Sequence, residues 1–564
     1  IRNTNTLNYD FKKILNKDHN LSVMVGQEYI IQHENELTMN IQGFPKFFSS
    51  DDAFKLTTQG LYPASTDYYY SPDDKLLSFF GRANYNLLDK YLLTTTFRAD
   101  GSSKFRGNNK WGYFPSAALA WRLSSESFML NTKKWLDDLK LRFSYGTAGN
   151  NKIPSGQMEQ SYGSSSTSWI DGYTTIWVPS KVMANPALKW ETTFTRNLGL
   201  DYSLFNEKLS GSIEIYLNTT KDLLINFPVT GSGYTTQYRN MGETQNKGME
   251  FSVNYIAINK KNFGLSFGGN INFNKNKIVS LGVMNDFGAR SEWASTEIGN
   301  DYWIAKGGSV GQMYGYVSDG RYEVSDFERY DATTKKWILN PGVVDATSIV
   351  GTLRPGTMKL KNIAGTDNIV NADDVTFIGN SNPIHTGGFN INGRAYNFDL
   401  AAGFTWSYGN DVYNANKIEY TSSSKYQYRN MINIMEDGER WTNLKSDGTI
   451  SNDPNELAAM NAGTTMWSPY MKQYVFSDWA VEDGSFLRLN TLTLGYTLPA
   501  KLTKQLKIEK FRLYATGYNV FCLTNYTGYD PEVSTRRKTP LTPSVDYSAY
   551  PKSRQIVFGL NLNF

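Results

Sequence analysis

The sequence predicts an all-β fold, an antiparallel transmembrane β-barrel with long extracellular loops, and three observations carry that prediction. Apolar segments with a two-residue period recur along the 564-residue chain, the gaps between them alternate short and long, and the last segment ends on Phe564. Barrels that cross an outer membrane combine tight periplasmic turns with longer external loops, which is this alternation.

The closing segment shows the period most plainly. Ile556, Phe558, Leu560, Leu562 and Phe564 fall on one face, with Gln555, Gly559, Asn561 and Asn563 on the other. The stretch 262–273 repeats the code, setting Phe263, Leu265, Phe267, Ile271 and Phe273 against Gly264, Ser266, Gly268, Asn270 and Asn272. Successive side chains of a strand point to opposite faces, so each segment offers one wall to lipid and one to water. Similar alternation runs through 18–31, 76–88, 139–147, 208–218 and 246–256.

Composition narrows the class. Hydrophobic residues make up 40% and the mean hydropathy is −0.47, with no run near the ~20 apolar residues of a membrane helix, so a helical membrane protein is excluded. Spanning strands escape this test, because half of each strand faces the lumen. Aromatics at 14%, with 37 Tyr and 47 Gly, suit interfacial girdles and crowded strands. On composition alone a large secreted β-sandwich or propeller array fits as well. A net charge of +4 gives no support to a nucleic-acid partner. Cys522 is the only cysteine, which removes a disulfide framework, and His19, His33 and His385 share no metal-ligand spacing. Ile1 to Asp10 reads as strand, so a cleavable signal is expected in an N-terminal part of the gene product outside this chain.

The pattern resolves into about fifteen strands. Segments 5–14 and 18–31 meet at a tight turn, Asn16–Lys17–Asp18, before a loop at 32–75. Segments 76–88 and 90–100 pivot at Asp89, and a loop at 101–112 follows. Segments 113–123 and 139–147 are joined through 124–138, where a short helix is expected around Trp135. Then come loop 148–188, turn 204–207, loop 220–245, turn 257–261, loop 274–384, a turn near Asn397, loop 409–483, turn 498–508 and loop 521–551. Every long connection lands on one side. An odd count puts Ile1 on that side, whereas single-chain barrels have an even number of strands. The expectation is a chain that begins inside an external loop of a larger barrel, its first strand lacking a neighbour.

The run from Phe97 to Trp121, FRADGSSKFRGNNKWGYFPSAALAW, resembles the most characteristic barrel motif of the SusC-like (RagA-like) TonB-dependent outer-membrane transporters of Bacteroidota. The resemblance continues in order through SYGTAGN (144–150), NPALKWETT (185–193), GLDYSLFNEKLSGSIEIY (199–216), TKDLL (220–224), NKGMEF (246–251), GQMYGYVSDGRY (311–322), FLRLNTLTLGYTLP (486–499), YNVFCLTNYTGYDPE (518–532) and YPKSRQIVFGLNLNF (550–564). It implies a plugged barrel of ~22 strands in the bacterial outer membrane, of which this chain would be the C-terminal portion. It also implies an N-terminal plug and TonB box coupling to TonB–ExbB–ExbD, and a SusD-like surface lipoprotein that closes over the mouth as a lid. Neither plug nor box is found in these residues, so they and the remaining N-terminal strands are expected elsewhere. The implied activity is import of oligosaccharides, with oligopeptide import or a non-transporting surface barrel as alternatives.

No cofactor is expected. Many members of that family carry an acidic, calcium-binding loop where this chain has KNIAGTDNIVNADDV, Lys361 to Val375. Asn362, Ala364 and Thr366 stand where carboxylates would be wanted, leaving Asp373 and Asp374 as the residual candidates. Enzymatic motifs are missing too: His33–Glu34 runs into Asn35 and Glu36 rather than H-E-x-x-H, and Asp137–Asp138 and Asp373–Asp374 are merely adjacent in sequence.

Substrate contact is expected from loop aromatics, whose faces stack on sugar C–H surfaces. The candidates are Trp169, Tyr173 and Trp177 in one loop, Trp293, Tyr302, Trp303, Tyr314 and Trp337 in the longest, and Trp441, Trp467, Tyr470 and Trp479 in another. The competing reading is that they pack the loops against each other or against the lid. Arg98 and Asp100 join them as lumen candidates, with Arg142, Glu214 and Glu250 also inward by period, where polar residues could equally hold a plug.

Overall fold

Fifteen strands form one antiparallel sheet in strict chain order. They are β1 (Arg2–Asp10), β2 (His19–Gln42), β3 (Tyr62–Leu87), β4 (Tyr91–Ser102), β5 (Trp111–Arg122), β6 (Leu136–Asn150), β7 (Glu191–Leu204), β8 (Leu209–Lys221), β9 (Glu243–Asn259), β10 (Phe263–Ser280), β11 (His385–Ala395), β12 (Phe398–Tyr408), β13 (Phe486–Thr497), β14 (Lys510–Thr524) and β15 (Gln555–Asn563). The computed structural model describes every residue except 168–173, 230, 232, 295–296, 425–427, 506 and 536–538. The strand count agrees with the sequence reading, and so does the alternation of short and long connections except around β5, where the connection 103–110 is shorter than 123–135. Among the described residues β1 and β15 each have one sheet neighbour.

Short turns are made by residues that enter the left-handed region. Leu88 and Asp89 (φ 58° and 54°) turn β3 into β4, and Phe205, Asn206 and Glu207 (φ 61°, 57° and 61°) turn β7 into β8. Such turns match the twist of the strands they join.

Two expectations need correction. The connection at 32–75 is mostly strand: β2 runs on to Gln42 and β3 starts at Tyr62, paired through Glu34↔Ser71 and Leu37↔Tyr68. Glu34, Asn35 and Glu36 are all exposed, so no buried face imposed a period there. The tip carries a six-residue helix, Ser50–Lys55, whose capping box joins Ser49 and Asp52. Between β5 and β6 the chain makes two 3-10 segments, Leu123–Ser125 and Ser127–Thr132, and Trp135 lies beyond both. The apolar residues there, Phe128, Met129 and Leu130, are consecutive rather than spaced three or four apart, so they form no stripe on which an α-helix could pack.

The chain divides into two compact units. In the first, Ile1–Lys133, Asp138–Leu200 and Tyr216–Thr244, a buried cluster sits among the loops. Trp190 packs against Phe105 and Phe114, each at 5.5 Å between ring centroids, so two of the sequence runs singled out above close on each other. The polar wall of this unit is cross-linked by Arg98, which donates to Asp100 (2.7 Å), Ser78 (2.8 Å) and Glu28 (3.1 Å).

The second unit, Lys134–Asp137, Asp201–Ile215 and Gln245–Phe564, holds β9 to β15 and the longest loops. Along β15 the apolar wall is left open, with Ile556 70% and Phe558 81% exposed. Such a row is costly in water at ~25 cal/mol per Å² and costs nothing in hydrocarbon. On the opposite wall Gly264, Arg394, Asp399, Gly495, Tyr514 and Gly559 line up across six strands. The absent Cβ of Gly559 leaves room for the Tyr514 ring, which a Cβ there would meet at 2.3 Å. The loops have cores of their own. One centres on Trp293, Tyr302, Met313, Tyr413 and Phe476, the other on Tyr322, Leu360, Val370, Met435 and Trp467.

Candidate functional site

In the loop between β10 and β11, four short strands form a sheet of their own: Asp286–Ala289, Tyr302–Ala305, Gln312–Gly315 and Thr376–Asn380. Strand alternation sorts their side chains. Tyr302, Ile304 and Met313 point into the loop core and are at most 2% exposed, which sends Trp303 and Tyr314 to the other face. There their rings stack at 5.5 Å with 28° between planes. They line a cleft of about 690 Å³ with Glu297, Tyr316, Lys472 and Gln473. Lys472 and Gln473 come from the loop between β12 and β13, so the cleft is built by the two longest loops.

The wall behind is closely packed. Trp293 stacks on Tyr474 at 5.6 Å and donates its indole N–H to the Tyr413 hydroxyl at 2.6 Å, while Tyr413 stacks on Phe476 at 3.9 Å. Beside Trp303, Asp301 is 1% exposed, and burial pushes its carboxyl up to about 6 against the opposing pull of the Ser291 hydroxyl and amide that donate to it. An aromatic platform with amide and ammonium groups on its rim can bind a ligand that has both apolar faces and hydrogen-bonding edges.

The other residues singled out from the sequence fall elsewhere. Trp467 is 6% exposed in the second loop core, edge-on to Trp479 at 4.3 Å with Lys417 over the Trp479 ring, and Trp441 is 3% exposed against the backbone of Gly356. These rings, like Trp293, pack loop against loop. Tyr470 is 63% exposed, and Trp177 is exposed on a hairpin formed by Tyr162–Thr167 and Thr174–Pro179. Trp169 and Tyr173 lie outside the described residues. Arg98 and Asp100 belong to the network on β4. Lys472 and Gln473 carried no signal in the sequence; Tyr316 stood inside GQMYGYVSDGRY.

The 361–375 loop closes through hydrogen bonds. Asp374 is fully buried and its carboxylate accepts the N–H groups of Ile363 (2.7 Å), Ala364 (2.8 Å) and Asn371 (2.8 Å). Burial alone would raise this carboxyl; the three amides outweigh it and hold it below the usual carboxylate range. Asp373 is exposed and donates its own N–H to Asn371. A calcium cage needs six to eight oxygens, and the residues here do not fit one: Ala364 offers no side-chain ligand, and both Asp374 oxygens face amides.

A family model described as TonB dependent receptor-like, beta-barrel matches residues 2–349. The TonB-dependent receptor P3 of Formosa agariphila is 31% identical over 570 residues, covering 100% of this chain and 52% of the relative. The TonB-dependent receptor SusC of Bacteroides thetaiotaomicron is 30% identical over 567 residues, covering 97% of this chain and 48% of the relative. A structure of the RagAB peptide transporter superposes with a TM-score of 0.74 at 24% identity, over 100% of this chain and 55% of that one. The chain spans about half the length of the relatives it matches. With its fifteen-stranded antiparallel sheet and loop-built cleft, it belongs to the TonB-dependent receptor-like β-barrel family of the bacterial outer membrane.

Proposed function

We propose that these residues form the C-terminal strands and capture loops of a TonB-dependent nutrient importer that takes up oligosaccharides. The single observation that carries the substrate class is the stacked Trp303–Tyr314 pair in a cleft rimmed by Lys472 and Gln473. Flat rings stack on the C–H face of a sugar, and the rim supplies groups for its hydroxyls. The length of the relatives supports a plug and further strands contributed by another part of the protein. In this reading TonB–ExbB–ExbD drives transport, and a SusD-like lipoprotein closes over the two long loops that build the cleft.

Uptake by cells carrying Trp303→Ala and Tyr314→Ala tests the proposal, with a tagged barrel pulled down alongside. Both residues are on the open face of the loop sheet, so lid retention and barrel assembly are expected to stay normal while uptake of one defined oligosaccharide falls at least ~10-fold. Unchanged glycan uptake with loss of peptide uptake would replace the sugar by an oligopeptide. Wild-type transport of both, or a barrel that copurifies with no lipoprotein, would sink the capture model.

A further inference from the structure

The short-turn rim of the second unit carries a charge pattern that nutrient capture does not use. Lys208, Lys260, Lys261, Lys501, Lys504 and Lys507 are all exposed there, and none has an ion-pair partner among the described residues. The long-loop side is mixed: Lys359 pairs with Asp326, Lys417 with Glu482, Lys445 with Glu456 and Lys552 with Glu532, while Lys306, Lys335, Lys336, Lys361 and Lys472 are exposed without an ion pair among the described residues.

Backbone hydrogen bonds join the turns into one edge. Ile256 N–H reaches Lys208 O (2.8 Å), Tyr396 N–H reaches Asn262 O (2.7 Å), Thr497 N–H reaches Asn397 O (2.8 Å), and Glu509 N–H reaches Asn563 O (2.7 Å). Four carboxylates stand on this edge: Asp399 is held by Arg512, Asp137 accepts the Glu207 N–H at 2.9 Å, and the exposed side chains of Glu207 and Glu509 have no ion pair among the described residues.

One step in from the lysines stands a row of exposed aromatics. Phe263 packs edge-on against Tyr396 at 4.9 Å, Phe398 lies tilted against the half-buried Tyr496 at 4.7 Å, and Phe205 is exposed at the neighbouring turn. Aromatic rings mark the depth of the membrane interface, and lysines just beyond them lay their methylene stems along apolar surface and raise their ammonium groups to the headgroup plane.

We propose that this rim binds the phosphate headgroups of anionic phospholipid in the leaflet that faces the short turns. The orientation follows from the barrel rule that short turns are periplasmic.

The full-length natural protein, reconstituted in phosphatidylcholine bilayers, tests this through spin-labelled lipid probes. The fraction of phosphatidylglycerol probe immobilised at the protein is expected to exceed that of the phosphatidylcholine probe about threefold or more at low salt, and to converge with it as salt screens the lysines. Changing Lys260, Lys261, Lys501, Lys504 and Lys507 to Gln should bring the ratio close to one, whereas the same positions changed to Arg should keep it. Should the fivefold Gln variant fail to insert, the Lys260→Gln, Lys261→Gln pair should still lower the ratio measurably. Lys359→Gln with Lys445→Gln, on the loop side, should leave it unchanged. An equal ratio in wild type and Gln variants would overturn the proposal. So would displacement of the probe by inorganic phosphate beyond that by chloride at the same ionic strength, which would mean a free-anion site. A Gln variant that loses only binding to peptidoglycan fragments would place the partner in the cell wall instead.

Discussion

Asp374→Ala should unlock the 361–375 loop without disturbing the barrel. The substitution strands three N–H donors, those of Ile363, Ala364 and Asn371, and removes one half of the capping box with Asn371. A hydrogen bond to a charged group contributes about 1.5–3 kcal/mol, but the amides here are only part-buried and water can replace some of what is lost. The net local cost is therefore about 2–4 kcal/mol, equivalent to a 30- to 1,000-fold loss of hydrogen-exchange protection at those amides. Val370, fully buried in the adjoining loop core, should lose protection with them. Asp374→Asn, which keeps one acceptor oxygen, should lose roughly half as much on a logarithmic scale.

The pH dependence has a definite sign. The folded carboxyl is held low, so its contribution is fully present above the unfolded value of ~3.9 and disappears as pH falls through the folded one. Wild-type protection of these amides should thus be flat at neutral pH and fade only below about pH 4. Because the oxygens of Asp374 already face amides, calcium should change none of this. Unaltered exchange in Asp374→Ala, or protection restored by calcium, would refute the reasoning.

Other outcomes follow from single contacts. Gly356→Ala places a Cβ 2.3 Å from the Trp441 ring at a residue whose φ is +86°, so about 2–4 kcal/mol of loop stability should go, with a changed tryptophan signal in near-ultraviolet circular dichroism; an unchanged spectrum and protease resistance would contradict it. Arg488, 3% exposed, grips Asp530 with two hydrogen bonds of 2.8 and 2.9 Å; Arg488→Met should cost about 3–5 kcal/mol and expose the segment after β14 to protease, and adding Asp530→Asn should recover part of the loss. Trypsin on intact cells should cut at Lys336 or Lys445 in the long loops, and at Lys208, Lys260 or Lys261 only after the outer membrane is opened; early cleavage at the latter three would invert the orientation.

The two-residue period was enough to count the strands, order them and choose the lipid wall, because a strand's faces are set by residues adjacent in sequence. Phe263 and Phe558 could be assigned to an apolar wall from pattern alone, and the turn residues at Asp89 and Asn206 from the gaps. The same pattern failed above β2 and β3, where Glu34 to Glu36 are solvated on both faces and no burial enforces alternation. Family-like runs told where the chain belongs, yet not that Phe105 and Trp190, 85 positions apart, would close on each other. The loop aromatics were the least legible. Trp303 and Trp293 look alike in sequence; one lines a cleft and the other is 5% exposed beneath it. The difference is decided by Tyr413, Tyr474 and Phe476, more than a hundred residues downstream, which bury Trp293 and leave the opposite face of the loop sheet to Trp303. Local sequence determines which side chains share a face. Only the long-range packing of one loop on another determines which of those faces is covered.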